Sequence, residues 1–320
     1  MTNRVRLLTV WSGPLPSYLP LFLMTAGRNP EFEFVFVADS PAPVDRLRHG
    51  LPENVIWVER SYAELFSQIG DQLDIPTRGL KPLKLCDFKP TFGHVFRDLF
   101  GDTDFWGHID CDILLGHLGR FITDDVLNTH DVLGLRGRGF THGPLTLYRN
   151  TESVNSLFAE AAHWKQTLSN PNVLGFDESC GWWAWRGQTR PPDAPDSMTD
   201  VIYRAVSAGR ASNYDENHIN EEHHRFGPLF IRWNDGTLTD LHHDREIAYY
   251  HLVHSKKDPF FYIPAWDALP SSFHVNKYGI QTGDETSLPF HLSRLLTGTP
   301  AYSRSLASHT ASKMRAALSA

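Results

Sequence analysis

Phe105-Trp106-Gly107-His108-Ile109-Asp110-Cys111-Asp112-Ile113-Leu114-Leu115-Gly116 is an apolar run interrupted by two carboxylates one residue apart. Apolar and β-branched residues lead straight into the acids, so the run reads as a buried strand that ends at its ligand-facing edge. Side chains alternate along a strand, which predicts Asp110 and Asp112 on one face and Cys111 on the other. Two anions on one face repel each other unless a cation lies between them. A hard divalent ion with oxygen ligands suits such a pair and keeps positions open for phosphate oxygens. The plainer reading is a strand end whose aspartates cap the next helix. The apolar residues on both sides of the pair favour the first.

The chain upstream sets this strand in an α/β fold. Val5 to Trp11, Phe32 to Ala38 and Val55 to Val58 read as strands, with helices predicted over Tyr18 to Ala26 and over about Tyr62 to Ile69. Ser61 and Glu64 stand at capping-box spacing before the second helix. Strands alternating with helices predict a largely parallel sheet flanked by helices. Ligands of such sheets bind beyond the carboxyl ends of the strands. The end of the first strand and its turn (Val10, Trp11, Ser12, Gly13) and Asp39 after the second strand are therefore candidate nucleotide contacts. The chain has neither a Gly-x-Gly-x-x-Gly nor a P-loop pattern.

Composition narrows the class. The 320 residues are 41% hydrophobic and 21% charged, as in ordinary globular proteins, and the net charge of -7 excludes a broad basic surface for nucleic acid. Three widely spaced cysteines supply neither a zinc pattern nor a disulfide framework, and no apolar run is long enough to span a bilayer. Met1 to Val10 lacks the form of a signal peptide, so a cytoplasmic protein is expected. One domain is expected over 1–300, with a nucleotide-binding half (1–136), an acceptor- and metal-completing half (137–260) and a terminal tail (301–320).

Four further stretches carry candidate chemistry. Lys81 to Phe100 has apolar residues near helical spacing, with a break expected near Lys89 because Pro90 follows. Of Lys81, Lys84 and Lys89, Lys84 is the one assigned to a phosphate. Arg136-Gly137-Arg138-Gly139 reads as a flexible basic loop, and a helix is expected from Thr151 to about Trp164. Asp177 and Glu178, beside Trp182, Trp183 and Trp185, either cap a helix or face an acceptor hydroxyl. The adjacent pairs His223-His224 and His242-His243 read as surface residues. Glu246 to Tyr250 reads as a strand running into His251, His254, Lys256 and Lys257. A neutral imidazole can complete a carboxylate metal site, and a lysine can face a diphosphate.

Together these segments resemble glycosyltransferases of the GT-A fold. The carriers are Lys84-Leu85-Cys86-Asp87-Phe88-Lys89-Pro90, Phe105 to Asp112, His142-Gly143-Pro144-Leu145-Thr146-Leu147-Tyr148-Arg149-Asn150, and Tyr250-His251 through Lys257. The nearest likeness is to a bacterial glycosyltransferase-like family associated with capsule or surface polysaccharide, and a more distant one is to glycogenin-type enzymes. The resemblance implies a GT-A mixed sheet, Mn2+ or Mg2+ as cofactor, a nucleotide-sugar donor (a UDP-sugar first) and a glycan or other hydroxyl acceptor. It implies Asp110, Asp112 and His251 as metal ligands, with Asp110 also near the donor ribose. Lys84 and Lys256 or Lys257 would face the diphosphate or sugar, the His142-Gly143 turn would line the pocket, and Asp177 or Glu178 would lie on the acceptor side. The chain departs from the pattern after His251, which makes His254 a rival ligand. A sugar nucleotidyltransferase and a non-catalytic nucleotide-sugar binder of the same fold are the alternatives.

Overall fold

The structure, a computed structural model, describes residues 2–137, 141–179, 194–221, 230–258, 261–276 and 279–282. The three tryptophans at 182, 183 and 185, the His223-His224 pair and the tail from 301 lie outside the described residues. In chain order the strands are β1 (Val5–Trp11), β2 (Phe32–Ala38), β3 (Val55–Glu59), β4 (Phe105–Ile109), β5 (Ile113–Leu115), β6 (Val132–Gly134), β7 (Leu145–Arg149) and β8 (Asn213–Asp215). They continue with β9 (Ile219–Asn220), β10 (Phe230–Asn234), β11 (Thr237–Asp240), β12 (Arg245–Glu246), β13 (Tyr249–His251), β14 (Ser272–Asn276) and β15 (Gly279–Gln281).

A seven-stranded sheet in the order β3-β2-β1-β4-β7-β6-β8 forms the centre. β1 pairs in parallel with β2 on one side and with β4 on the other, and β7 enters antiparallel to β4 and β6. The sheet is mostly parallel and flanked by helices, the mixed α/β architecture expected. β1 has a buried layer on each face. Leu7 joins one core with the helix Leu19–Ala26, and Leu8 joins another with the helix Tyr62–Leu73 and the segment from Leu85 to Phe100. The first helix carries Pro20 in its opening turn, where the missing N–H leaves nothing unpaired. The second has the Ser61–Glu64 capping box, with Ser61 N–H donating to Glu64 at 2.8 Å.

Pro82 and Pro90 break 82–100 into short helical turns, so the interruption near Lys89 is seen. Gly93 there packs on Trp106 so closely that a Cβ would lie 2.2 Å from the indole. The helix expected from Thr151 to Trp164 is instead three pieces, Glu152–Asn155, Leu157–Glu160 and Trp164–Ser169. Ser156 donates to the Glu152 carbonyl at 2.7 Å, and His163 takes a left-handed conformation with φ 60°. Each stops continuous propagation.

Among the described residues two smaller sheets accompany the central one. β12-β11-β10-β14-β15 is an antiparallel sheet, and β5-β13-β9 is a three-stranded one. The strand expected over Glu246 to Tyr250 is thus two, and β12 and β13 go to different sheets. The Asp-Cys-Asp segment also differs from expectation. β4 ends at Ile109 and β5 begins at Ile113, so the two acids lie on the bend that passes the chain from the central sheet to the three-stranded one. The bend is held from both sides: Asp110 N–H donates to the Pro144 carbonyl and Leu252 N–H to the Asp112 carbonyl, each at 2.8 Å.

Candidate active site

The connection from β1 leads to β2 on one side while β4 lies on the other, and a crevice opens where the two directions part. Thr9 closes its floor by donating to the Ile109 carbonyl at 2.7 Å. Above it lies a cavity of about 780 Å3 that takes in Val10, Trp11, Ser12, Lys89, Asp110, Asp112, Asp177, Glu178, Glu221 and His251. A volume of that order accommodates a nucleotide-sized ligand.

Strand register assembles the acidic side. β13 runs antiparallel to β5 with His251 opposite Ile113, which sets the imidazole beside Asp112. β9 runs parallel to β13 with Asn220 opposite Tyr250, so the next residue, Glu221, falls beside His251. Ligand atoms of Asp110, Asp112 and His251 lie within 4.8 Å of one another, and this cluster could hold a metal ion. Two carboxylates and an imidazole are a suitable donor set for a divalent cation. His254, the rival ligand, lines the cavity but is not part of that cluster.

Charges around the cluster are tightly paired. His251 Nε2 is 3.3 Å and Lys256 Nζ 2.5 Å from Asp112 Oδ2. Burial disfavours the Asp112 anion, but the His251 hydrogen bond and the His251 and Lys256 charges outweigh it and hold the carboxyl below the usual range. His251 Nδ1 lies 2.8 Å from Glu221 Oε1. Burial works against a charged imidazole there, but its two carboxylate partners raise the pKa to about 9. Glu221 also meets His142 Nε2 at 2.9 Å and Arg136 at 2.7 Å. These contacts overcome burial and keep Glu221 well below the usual carboxylate range. Burial lowers the His142 pKa, against the opposite pull of its hydrogen bond to Glu221.

The other wall centres on Lys89. Its Nζ lies 2.7 Å from Asp110 Oδ1, donates to the Gly143 carbonyl at 2.8 Å, and is 3.7 Å from Asp177 Oδ2. Burial opposes the ammonium, but its neighbours, Asp110 first among them, together outweigh burial and raise the pKa. Asp177 is pushed well above the usual carboxylate range, first by burial, with Lys89 opposing. Glu178 is committed differently, accepting from Gly143 N–H at 2.9 Å. The chain turns tightly at Gly143, where a Cβ would come within 2.9 Å of both Asp177 Oδ2 and Glu178 Oε1.

The structure thus gathers Val10, Trp11, Ser12, Asp110, Asp112, Gly143, Asp177, Glu178, His251 and Lys256 around one cavity. Lys84 is elsewhere. It is fully buried, paired with Asp87 at 2.6 Å and bound to the carbonyls of Thr167 and Asn172, because the turn before the Pro90 break points it inward. Lys89, five residues on, lines the cavity instead. Asp39 braces the first turn by accepting from Ser12 Oγ at 2.6 Å and from Gly13 N–H at 3.0 Å. His142 stands behind the cavity, between Glu221 and Tyr249. Lys257 follows Lys256 on a 3-10 turn and is not among the lining residues. Asp177 and Glu178 lie in a turn rather than at the N-terminus of a described helix. Of the basic loop, Arg136 is buried against Glu221, and 138 and 139 lie outside the described residues. His242 and His243 are exposed, the latter 2.7 Å from Asp240.

Among the described residues no helix is long and apolar enough to cross a membrane. No curated protein matches the chain. Among solved structures it is similar to PaToxG glycosyltransferase, at 13% identity over 64% of this chain and 70% of that one, with a TM-score of 0.34. Residues 7–277 match the family described as Family of unknown function (DUF6625), and the chain belongs to that family.

Proposed function

We propose that this chain is a metal-dependent glycosyltransferase that moves a sugar from a nucleotide-diphosphate donor, a UDP-sugar in the first place, to an acceptor hydroxyl. The observation that carries the reading is the convergence of Asp110, Asp112 and His251 at the carboxyl ends of β1 and β4, in a cavity of nucleotide size flanked by Lys89 and Lys256. A Mn2+ or Mg2+ ion held by those three side chains would neutralise charge on the departing diphosphate. Lys256 would add a movable point charge from the opposite side. Val10, Trp11 and Ser12 would border the nucleoside, with Asp39 keeping their turn in place. Lys89 would hold the Asp110 carboxylate in position and set its distance from Asp177.

In an inverting transfer the acceptor proton needs a base. Asp177 suits that role better than Glu178, which is engaged with the Gly143 amide. A carboxylate with a raised pKa is also a stronger base. A retaining transfer would rest on stabilising the leaving group and leave Asp177 with a binding role.

Thermal unfolding against a panel of nucleoside diphosphates, with and without Mn2+, tests the reading. A manganese-dependent rise with one nucleotide, followed by metal-dependent donor hydrolysis, is the expected result. A nucleotide shift without turnover would make the chain a binder, and no shift with any nucleotide would remove the donor site.

A further inference from the structure

We infer that Glu221 is a positioning residue that presents the Nε2 lone pair of His251 to the metal site, an inference that rests on the metal-binding reading above. Glu221 follows β9, and the parallel register with β13 carries its carboxylate to the back of the His251 ring. Oε1 lies 2.8 Å from His251 Nδ1 and 2.9 Å from His142 Nε2, while Oε2 meets Arg136 at 2.7 Å. An ionised carboxylate only accepts hydrogen bonds. Both ring nitrogens that face it therefore carry protons.

The consequence differs for the two rings. With Nδ1–H fixed on Glu221, His251 can bind a cation only through Nε2, which faces Asp112 Oδ2 at 3.3 Å and offers its lone pair once its own proton has left. With Nε2–H fixed on Glu221, His142 has Nδ1 left to accept from Tyr249 OH at 2.6 Å. The carboxylate is thus shared by an arginine and two imidazoles. Its two oxygens are already engaged, which suits an orienting role behind the ligand better than a place among the ligands. Partners of this kind fix the ring orientation and raise the basicity of a metal-binding histidine.

The test is Mn2+ binding by electron paramagnetic resonance in the absence of nucleotide, with the nitrogen coupling of the bound ion as a second readout. The wild-type protein, Glu221→Gln, Glu221→Asp and Tyr249→Phe are compared. Glu221→Asp keeps the charge opposite Arg136 and decides the matter if Glu221→Gln does not fold. Tyr249→Phe disturbs the same network beyond His142 and controls for general loosening. Both Glu221 variants are expected to bind Mn2+ about 10- to 100-fold more weakly and to lose or change the imidazole nitrogen coupling. Tyr249→Phe should keep both. Wild-type affinity and coupling in the Glu221 variants would overturn the inference and leave the metal reading standing. Equal weakening in Tyr249→Phe would also overturn it, because the effect would then be general packing. Failure of the wild-type protein to bind Mn2+ would remove the metal reading and the inference with it.

Discussion

Lys256 Nζ and His251 Nε2 converge on a single oxygen, Asp112 Oδ2, at 2.5 and 3.3 Å. A divalent ion taken up by Asp112 has to compete with both. Lys256→Met should therefore tighten Mn2+ binding several-fold when no nucleotide is present, since one competing charge is gone. The same variant should raise the donor KM, because Lys256 is then missing from the diphosphate. Calorimetric titration with Mn2+ alone, beside initial rates against donor concentration, separates the two effects. Weaker Mn2+ binding in Lys256→Met would show that the lysine assists the ion rather than competing with it.

Asp112→Asn should fold and lose metal-dependent turnover. The substitution is nearly isosteric and removes the anion that His251 and Lys256 surround. Circular dichroism would report the fold, and donor hydrolysis with added Mn2+ the activity. Full activity in a folded variant would end the assignment of Asp112 as a ligand.

Stability without added metal should depend on pH through His251. Its pKa is raised from 6.5 to about 9 on folding. The stabilisation is therefore fully present below pH 6.5 and is lost as pH rises from there to about 9. Asp112 has the opposite sign: its pKa is depressed, so its contribution is present above the ordinary carboxylate range and lost in acid. Binding an ion at His251 expels a proton, so Mn2+ affinity should climb over the window in which stability falls. Urea unfolding in a chelator and Mn2+ titration at matched pH values measure the two slopes. In His251→Gln both slopes over that window should flatten.

Lys84→Met and Lys89→Met should fail in different ways. Lys84 and Asp87 are both fully buried, and breaking such a pair costs about 3–5 kcal/mol. Asp87 also accepts from the amides of Leu174, Gly175 and Phe176, immediately before Asp177. Loss of Lys84 should thus lower the urea midpoint strongly. Lys89→Met should instead lower turnover more than its stability change explains, because Asp110 and Asp177 lose the group that spaces them. Turnover measured well below each unfolding midpoint distinguishes the cases.

Asp177→Asn should lower kcat by about 10^2- to 10^4-fold if the transfer inverts, with donor affinity retained. Glu178→Gln should act mainly through the Gly143 turn and change KM more than kcat. The reverse order would move the base to Glu178. Product anomer analysis by NMR fixes which stereochemical case applies.

Much of the scaffold was legible because local signals and tertiary demands coincide. The first three strands, the Ser61 capping box and the break at Pro90 are written in short patterns. His251 was legible as an imidazole at the end of a strand. Glu221, Arg136 and Lys89 were not, because each owes its place to register or to a bend. Glu221 is set by the pairing of β9 with β13, which no local pattern announces. Lys84 and Lys89 are both lysines on a broken helical stretch, and only the turn geometry around Pro90 decides which one reaches the cavity. The antiparallel sheet around β10 leaves little signal in the sequence, because its strands are short and interrupted by polar turns. Strand alternation predicts the two acids on one face, whereas in the structure a bend between β4 and β5 brings them together.

That bend passes the chain between two sheets with separate strand ladders, β4 in one and β5 in the other. Anything gripped by both Asp110 and His251 spans the seam as a rivet spans two plates. Opening the smaller sheet would then require the rivet to come out first, and its local unfolding would be tied to ligand release. Amide exchange at β5, β13 and Leu252 should slow when Mn2+ and a nucleotide are added together, while exchange at β2 and β3 keeps its pace.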